Sequence, residues 1–241
     1  MNNISIYNFD NLPSTNEWAK ENFNKLNKTK INFITANQQT NGQGSHGRSW
    51  ESPLGGIYCT ICFHNDKCGN PTTITLASAV TICSYFESIG IKLNIKWPND
   101  IICNKKKIGG ILSEYSDNWL IVGFGLNINL SKDNLIDINR PIFPATSLKI
   151  EGFNNLNCSK ILHELYEYFP KEILKWNESG ISKFIDGYEK YNILTDKNLL
   201  INVNNEKVTG KYKELGSDGE LIILDNHTSK KIFSGEILKL E

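Results

Sequence analysis

An apolar strand that runs straight into a glycine-rich, donor-rich loop constrains this 241-residue chain more than any other feature. Ile31 to Ala36 is apolar enough to lie inside a sheet, and Ala36 to Trp50 continues as ANQQTNGQGSHGRSW. Glycine at 42, 44 and 47 lets backbone pass close to a ligand and adopt positive φ without strain. Successive N–H groups in such a loop form a nest for anions. Arg48 adds a planar fork suited to phosphate or carboxylate, and Trp50 a flat face for an aromatic ring. A surface loop of turn residues has the same composition, because a glycine run by itself is a weak signal.

The length suits one large domain or two unequal ones, with enough chain to bury a sizeable core. Lys plus Arg number 26, as do Asp plus Glu, so the formal charge is zero. A free-standing nucleic-acid binder usually carries a basic excess, so DNA is not an expected partner. No window reaches the roughly 18 continuous apolar residues of a membrane span. The start, MNNISIYNFD, has neither a basic region nor an apolar core, so no signal peptide is expected and the reading is a cytoplasmic protein. Cys59, Cys62, His64 and Cys68 are close enough to suggest zinc. However, Tyr58 to Phe63 reads as a strand, where residues three apart face opposite ways, and no second CxxC follows. The cysteines are therefore read as ordinary thiols of a reducing compartment, with no metal held by them.

Residues 4–9 alternate as a first strand, and Asn16 to Leu26 reads as a helix capped by Ser14 or Thr15. Gly55-Gly56 turns into a strand over Ile57 to Phe63. Residues 71–89 form an apolar helix, with Pro71 near its start and Gly90 after its end. Leu93 to Trp97 is a short strand ended by Pro98-Asn99-Asp100. Asn104 to Lys107 reads as a hairpin tip between strands Asp100–Cys103 and Ile108–Tyr115. Lys107 sits where that tip re-enters the apolar strand, just before Gly109-Gly110. Leu120 to Leu126 is near-continuously apolar, hence central in the sheet, with Asn127 and Asn129 at its end. Ser131 to Pro144 reads as a loop able to order over a ligand. Ser159 to Asn177 is helical in pattern, and Pro170 should break or kink it at Phe169. A further helix spans Ile181 to Tyr191. Beyond Leu194, short strands at Asn198–Val203, Lys207–Leu215, Glu220–Leu224 and Lys231–Leu238 alternate with turns at Asn204-Asn205, Ser217-Asp218-Gly219 and Asn226-His227, and suggest a small barrel.

Four segments in order carry a resemblance: the loop Gly42-Gln43-Gly44-Ser45-His46-Gly47-Arg48-Ser49-Trp50, then Lys96-Trp97-Pro98-Asn99-Asp100, Lys107-Ile108-Gly109-Gly110-Ile111-Leu112-Ser113-Glu114, and Gly123-Phe124-Gly125-Leu126-Asn127-Ile128-Asn129. With Ser14-Thr15-Asn16 they resemble the catalytic domain of biotin protein ligases over essentially the whole chain. The resemblance implies an α+β fold: a mixed β-sheet with flanking helices over residues 1–192, and an SH3-like β-barrel over 193–241. It further implies a form lacking the N-terminal DNA-binding domain that some members carry, since only about a dozen residues precede Ser14.

The implied reaction has two steps. Biotin's carboxylate attacks the α-phosphorus of ATP to give biotinyl-5′-adenylate, and a lysine of a biotin carboxyl carrier protein domain then attacks the mixed anhydride. Mg²⁺ and cationic side chains offset the repulsion between carboxylate and polyphosphate. By resemblance, Ser14, Thr15, Asn16 and Gln39 hold the ureido ring, where donors at a helix start also favour an oxygen, and Gly42, Gln43, Gly44 and Ser45 wrap the ligand. Lys107 binds the carboxylate and then the adenylate's phosphate oxygens; Arg48 contacts phosphate; Trp50 stacks on or flanks adenine; Asn127 contacts the nucleotide, by way of the metal or directly. Asp100 acts on the metal or on the incoming lysine. Gln43 and Ser45 stand where the family usually has arginine, and a lost charge-assisted hydrogen bond costs about 1.5–3 kcal/mol. His46, Arg48 and Lys107 are the groups left to cover that deficit. Two other readings stand beside this one: a lipoate or octanoate ligase or transferase on the same scaffold, and a non-catalytic biotin-binding protein. Open sheet edges would also allow a homodimer.

Overall fold

A computed structural model describes residues 3–65, 71–135, 142–226 and 228–241. Alternation at the N-terminus yields β1 (Ile4–Leu12), which turns at Pro13 into the short helix α1 (Thr15–Glu21). Ser14 caps that helix by accepting from Glu17 N at 3.4 Å. The helix expected to reach Leu26 ends at Glu21, and a 3₁₀ turn, Phe23–Lys25, carries the apolar side chains onward. β2 (Ile31–Gln39) then lies parallel to β1. The glycine-rich segment leads to β3 (Gly56–His64), antiparallel to β2.

α2 (Pro71–Ser88) is buried from Thr73 to Phe86 except at the half-buried Ser84, consistent with its apolar pattern, and stops at Gly90 with φ +83°. β4 (Asn94–Lys96), β5 (Asp100–Cys103), β6 (Lys106–Ser116) and β7 (Trp119–Asn127) follow. The hairpin tip is tighter than expected: Asn104 and Lys105 alone carry the positive φ, at 48° and 60°, so Lys106 and Lys107 belong to the strand. The seven-stranded sheet has the order β1-β2-β3-β7-β6-β5-β4, which puts β7 at its centre as its apolar run requires.

Side chains alternate along β7. Leu120, Val122, Phe124 and Leu126 face the main core, where the Phe124 ring stacks on Phe169 at 5.5 Å. Trp119 and Ile121 point to the opposite face, into a smaller cluster with Ala19, Leu26 and Ile34. Cys59 belongs to the first cluster and Cys62 to the second, so the two thiols do face opposite ways; Cys68 lies outside the described residues.

α3 (Cys158–Ser179) runs unbroken through Pro170, against expectation. Proline in a helix costs about 3 kcal/mol, but the stripe Ile161, Leu165, Tyr166, Phe169, Ile173 and Trp176 is buried along both halves and holds them in line. Asn157 caps its start and Gly180, at φ +59°, its end. A 3₁₀ turn, Ser182–Phe184, opens α4 (Ile185–Tyr191), so the helix expected over Ile181–Tyr191 is divided between the two. Of the expected Ser131–Pro144 loop, Asp133–Leu135 is a 3₁₀ turn and residues 136–141 lie outside the described residues.

The C-terminal strands are β8 (Asn198–Val203), β9 (Glu206–Leu215), β10 (Leu221–Asp225), β11 (Thr228–Ile232) and β12 (Glu236–Leu240). They form a separate antiparallel sheet in the order β11-β10-β9-β8-β12, consistent with an SH3-like unit. The expected strand over Lys231–Leu238 is two strands, because the chain leaves β10 and crosses to β8 through Phe233–Gly235. Hydrogen bonds tie this sheet to the rest of the chain: Trp97 Nε1, just after β4, donates to Gly219 O at 3.0 Å, and Glu189 Oε1 of α4 accepts from Tyr212 OH at 2.7 Å and Leu215 N at 2.9 Å. Among the described residues no helix is long and apolar enough to cross a membrane.

Candidate active site

The site is hollowed out of the sheet by glycine. A Cβ at Gly123 would overlap Asn16 Oδ1, and a Cβ at Gly125 would overlap Trp50 Nε1. Both glycines lie in the central strand, so side chains from α1 and the glycine-rich segment descend onto bare backbone. The result is a small pocket of about 50 Å³ that meets a wider cleft of about 470 Å³. Ser45, Arg48, Trp50, Asn99 and Lys107 line both and so mark the junction.

The smaller pocket is a hydrogen-bonded cage. Ser14, Thr15 and Asn16 are all buried. Gln39 Oε1 accepts from Thr15 N at 2.9 Å and Thr15 OH at 3.1 Å, while Gln39 Nε2 donates to Ser52 Oγ at 2.8 Å. Thr60, from β3, lies 2.8 Å from Thr15 Oγ1 and 2.6 Å from Asn16 Oδ1. Asn16 Nδ2 donates to Glu114 Oε2 at 2.9 Å. Glu114 also meets Lys20 Nζ at 3.0 Å and, with Glu17, raises the Lys20 pKa against the lowering effect of its burial. Such a cage presents donors and acceptors in fixed orientations to a neutral polar ring.

The glycine-rich segment folds back on itself. Gly44 N donates to Arg48 O at 2.7 Å, and Trp50 N to Gly42 O at 2.8 Å. His46 and Gly47 hold successive positive φ of 59° and 68° at its tip. Gln43, Gly44 and Ser45 line the smaller pocket. Gly42 does not: it packs behind, where a Cβ would overlap Trp50 O.

Lys107 is buried at the junction, paired with Asp100, with its Nζ 5.5 Å from the Trp50 ring centre. Asp100 also meets Lys96 Nζ at 3.4 Å. Arg48 lies at the mouth, 2.7 Å from Glu236 of β12. Asn127, at the end of β7, donates through Nδ2 to Thr146 O at 2.9 Å, and its buried Oδ1 has no hydrogen-bond partner among the described residues. An unpartnered buried amide oxygen lining the cleft suits a ligand donor or a hard cation bound with phosphate.

The structure thus brings the residues singled out in the sequence to one connected space, with Gly42 behind it. Thr60, Glu114, Lys96 and Glu236 were not among them. Lys96 lay inside the KWPND motif and its proximity to Asp100 could have been suspected. Thr60 and Glu114 are polar positions within strands, and Glu236 arrives from the far end of the chain.

An α+β domain sets a glycine-floored polar cage end to end with a cationic cleft, an arrangement with room for two small ligands. The chain belongs to the biotin/lipoate A/B protein ligase family, whose model matches residues 8–129. It is 28% identical over 236 residues to the bifunctional ligase/repressor BirA of Bacillus subtilis, covering 95% of this chain and 72% of that protein. It is 30% identical over 107 residues to a biotin–[acetyl-CoA-carboxylase] ligase of Paracoccus denitrificans, covering 40% and 44% respectively. The biotin protein ligase of Aquifex aeolicus, solved in complex with biotin and ATP, superposes with a TM-score of 0.82 at 27% identity, covering 100% of this chain and 99% of that one.

Proposed function

We propose that this chain is an ATP-dependent biotin protein ligase that forms biotinyl-5′-adenylate and transfers biotin to a lysine of a biotin carboxyl carrier domain. The carrying observation is the junction at Lys107: a small polar cage opens there, past a buried cation, into a cleft large enough for a nucleotide. The cage suits a ureido ring, which needs both donors and acceptors. A dithiolane ring offers neither, so the cage disfavours lipoate.

In this reading Thr15, Asn16 and Gln39 orient the ring so that the ligand's carboxylate ends at Lys107. The carboxylate oxygen bonds to the α-phosphorus of ATP and the pyrophosphate oxygen leaves with its electron pair. Lys107 and Arg48 neutralise charge that would otherwise oppose the approach, and the walls of the two pockets hold the ends in line. Trp50 flanks the base. Asn127 Oδ1 is the oxygen that suits Mg²⁺ arriving with the phosphates, and the ion supplies charge neutralisation on them. Residues 1–192 form the catalytic unit and 193–241 the SH3-like unit.

The partner is a carrier domain. Balanced charge, 26 against 26, gives no electrostatic footprint for DNA, and the edge of the larger sheet at β1 leaves pairing between two copies available. A cytoplasmic location is consistent with the use of ATP. The test is pyrophosphate release with ATP, Mg²⁺ and biotin, run beside lipoate. Release with biotin alone is expected; release with lipoate alone moves the chain to the lipoate branch of its family, and silence with both overturns the ligase reading.

A further inference from the structure

The cage has a direction that its shape does not set. Asn16 lies over the bare backbone of Gly123, and the oxygen and nitrogen of a side-chain amide are nearly the same size, so packing alone does not choose which end goes where. Hydrogen-bond partners do. Asn16 Nδ2 lies 2.9 Å from Glu114 Oε2 and 3.4 Å from Leu112 O. A carboxylate paired with a lysine and a backbone carbonyl can only accept, and the carboxylate is both the nearer and the charged one, so the amide nitrogen is held toward β6. Asn16 Oδ1 therefore faces Thr60 at 2.6 Å and takes its single hydroxyl proton. With that proton committed, Thr60 accepts rather than donates toward Thr15 Oγ1, 2.8 Å away. The Thr15 proton goes to Thr60 or to Gln39 Oε1, both inside the network. Thr15 is left with lone pairs to offer the pocket that it lines.

We propose that Glu114 is a positioning residue that sets the polarity of this relay, so that Thr15 meets a ring N–H of the ligand as an acceptor. Glu114 lines neither the cage nor the cleft; it acts through Asn16 and Thr60. The position needs two acceptors, because Oε1 meets Lys20 Nζ at 3.0 Å while Oε2 meets Asn16. A glutamine of the same shape has one oxygen, which the Lys20 cation claims. Its NH₂ group then faces Asn16 and turns that amide over. Asn16 donates to Thr60, Thr60 donates to Thr15, and a lone pair of Thr15 is used up inside the network. This rests on the ligase reading above and names what selects its ring: a cyclic urea brings N–H donors that the fixed polarity rewards, and a ring without them gains nothing from it.

Calorimetric titration with biotin, with steady-state pyrophosphate release beside it, tests this on the full chain. The set is wild type, Glu114→Gln, Lys20→Met, the Lys20→Met/Glu114→Gln double variant, Thr60→Val and Thr60→Val/Glu114→Gln. Glu114→Gln is expected to weaken biotin binding about tenfold, the scale of one hydrogen bond, and to raise the biotin KM alike, with kcat and the ATP KM within about twofold of wild type. Lys20→Met removes the same ion pair but leaves both carboxylate oxygens in place, and is expected to change biotin affinity less than about twofold. In the Lys20→Met/Glu114→Gln variant the glutamine oxygen is free to turn to Asn16, and affinity is expected to return to within about threefold of wild type. In the Thr60→Val background, where the relay is cut, Glu114→Gln is expected to add less than about twofold. Wild-type affinity in Glu114→Gln overturns the proposal. Equal weakening in Lys20→Met overturns it too, by assigning the loss to the ion pair, and so does a double variant as weak as Glu114→Gln. A fall in kcat or ATP affinity as large as the loss for biotin also overturns it, by giving Glu114 a general structural role. A wild-type chain that does not bind biotin instead overturns the ligase reading, and this inference with it.

Discussion

Arg48 Nη1, in the glycine-rich segment, lies 2.7 Å from Glu236 Oε1 in the last strand, 188 positions further along the chain. The pair bridges the mouth of the cleft and is exposed, so it contributes only about 0–1 kcal/mol to stability. Its consequence lies in availability: the cation expected to meet phosphate already has an anion. Glu236→Gln should leave the melting temperature nearly unchanged and should not weaken ATP binding, whereas Arg48→Gln should weaken it about tenfold, near the scale of one charge-assisted hydrogen bond. Calorimetric titration with ATP checks both. Weaker binding in Glu236→Gln would show that Glu236 itself serves the ligand.

Glycine at 123 and 125 is required by what lies above it. Gly123→Ala drives Asn16 out of the cage, and Gly125→Ala drives Trp50 off the floor. Overpacking of this kind typically costs 1–3 kcal/mol. We expect Gly123→Ala to weaken biotin binding at least tenfold, and Gly125→Ala to affect ATP more than biotin. Equal losses for both ligands in both variants would mean general unfolding, which a melting curve would reveal.

Ser45 lines both pockets but brings no charge, and the nearest compensating cations are engaged, Arg48 with Glu236 and Lys107 with Asp100. Ser45→Arg should therefore slow escape of biotinyl-adenylate about tenfold, equivalent to about 1.4 kcal/mol. Stopped-flow displacement measures this directly. An unchanged off-rate would show that the existing cations suffice.

Glu151 anchors the segment that pairs with Lys107: Thr146 N donates to Lys107 O, and Glu151 Oε1 accepts from Thr146 OH at 2.6 Å and Lys106 Nζ at 2.9 Å. Burial alone would raise the Glu151 pKa, but hydrogen bonds from Thr146, Lys106 and Asn104 hold it below the ordinary carboxylate range. A depressed folded-state pKa adds stability above the unfolded value of about 4.3, which is lost as pH falls through the folded value. Glu151→Gln should thus be less stable than wild type at pH 7 by about 1–3 kcal/mol, with the gap closing toward pH 3. Urea titrations at the two pH values decide it.

Burial raises the thiol pKa of Cys59, Cys62 and Cys83, and burial together with the Glu151 charge lifts Cys103 to about 11. Thiolate is the reactive form. At pH 8 a disulfide reagent followed by peptide mapping should leave these four unlabelled in the native protein and label them all in urea. Native labelling of Cys59 would contradict its place in the main core.

Much of this architecture was legible locally. The apolar run at Leu120–Leu126 announced a central strand, and Asn104-Lys105 with its flanking residues announced a hairpin. Lys107 stood out because it meets an apolar strand beside two glycines. Non-local pairings carried no such signal. The parallel β1–β2 pairing needs a crossover through α1, and no residue pattern names the partner strand. Thr60 and Glu114 read as ordinary strand positions until α1 lands on them. Pro170 misled because its cost is local, whereas the buried stripe that offsets it spans the whole of α3.

The glycine floor has one further property. At Gly110 the nearest atoms to a Cβ would be Lys107 Nζ at 3.5 Å and Trp50 Cζ3 at 3.6 Å, ordinary contact distances rather than collisions. Of the three glycines beneath the site, two are locked by their neighbours, while the third is an adjustable stop. A single methyl group there shortens the chamber without dislodging its walls, so selection or engineering could regulate how long a ligand the protein admits by changing that one position.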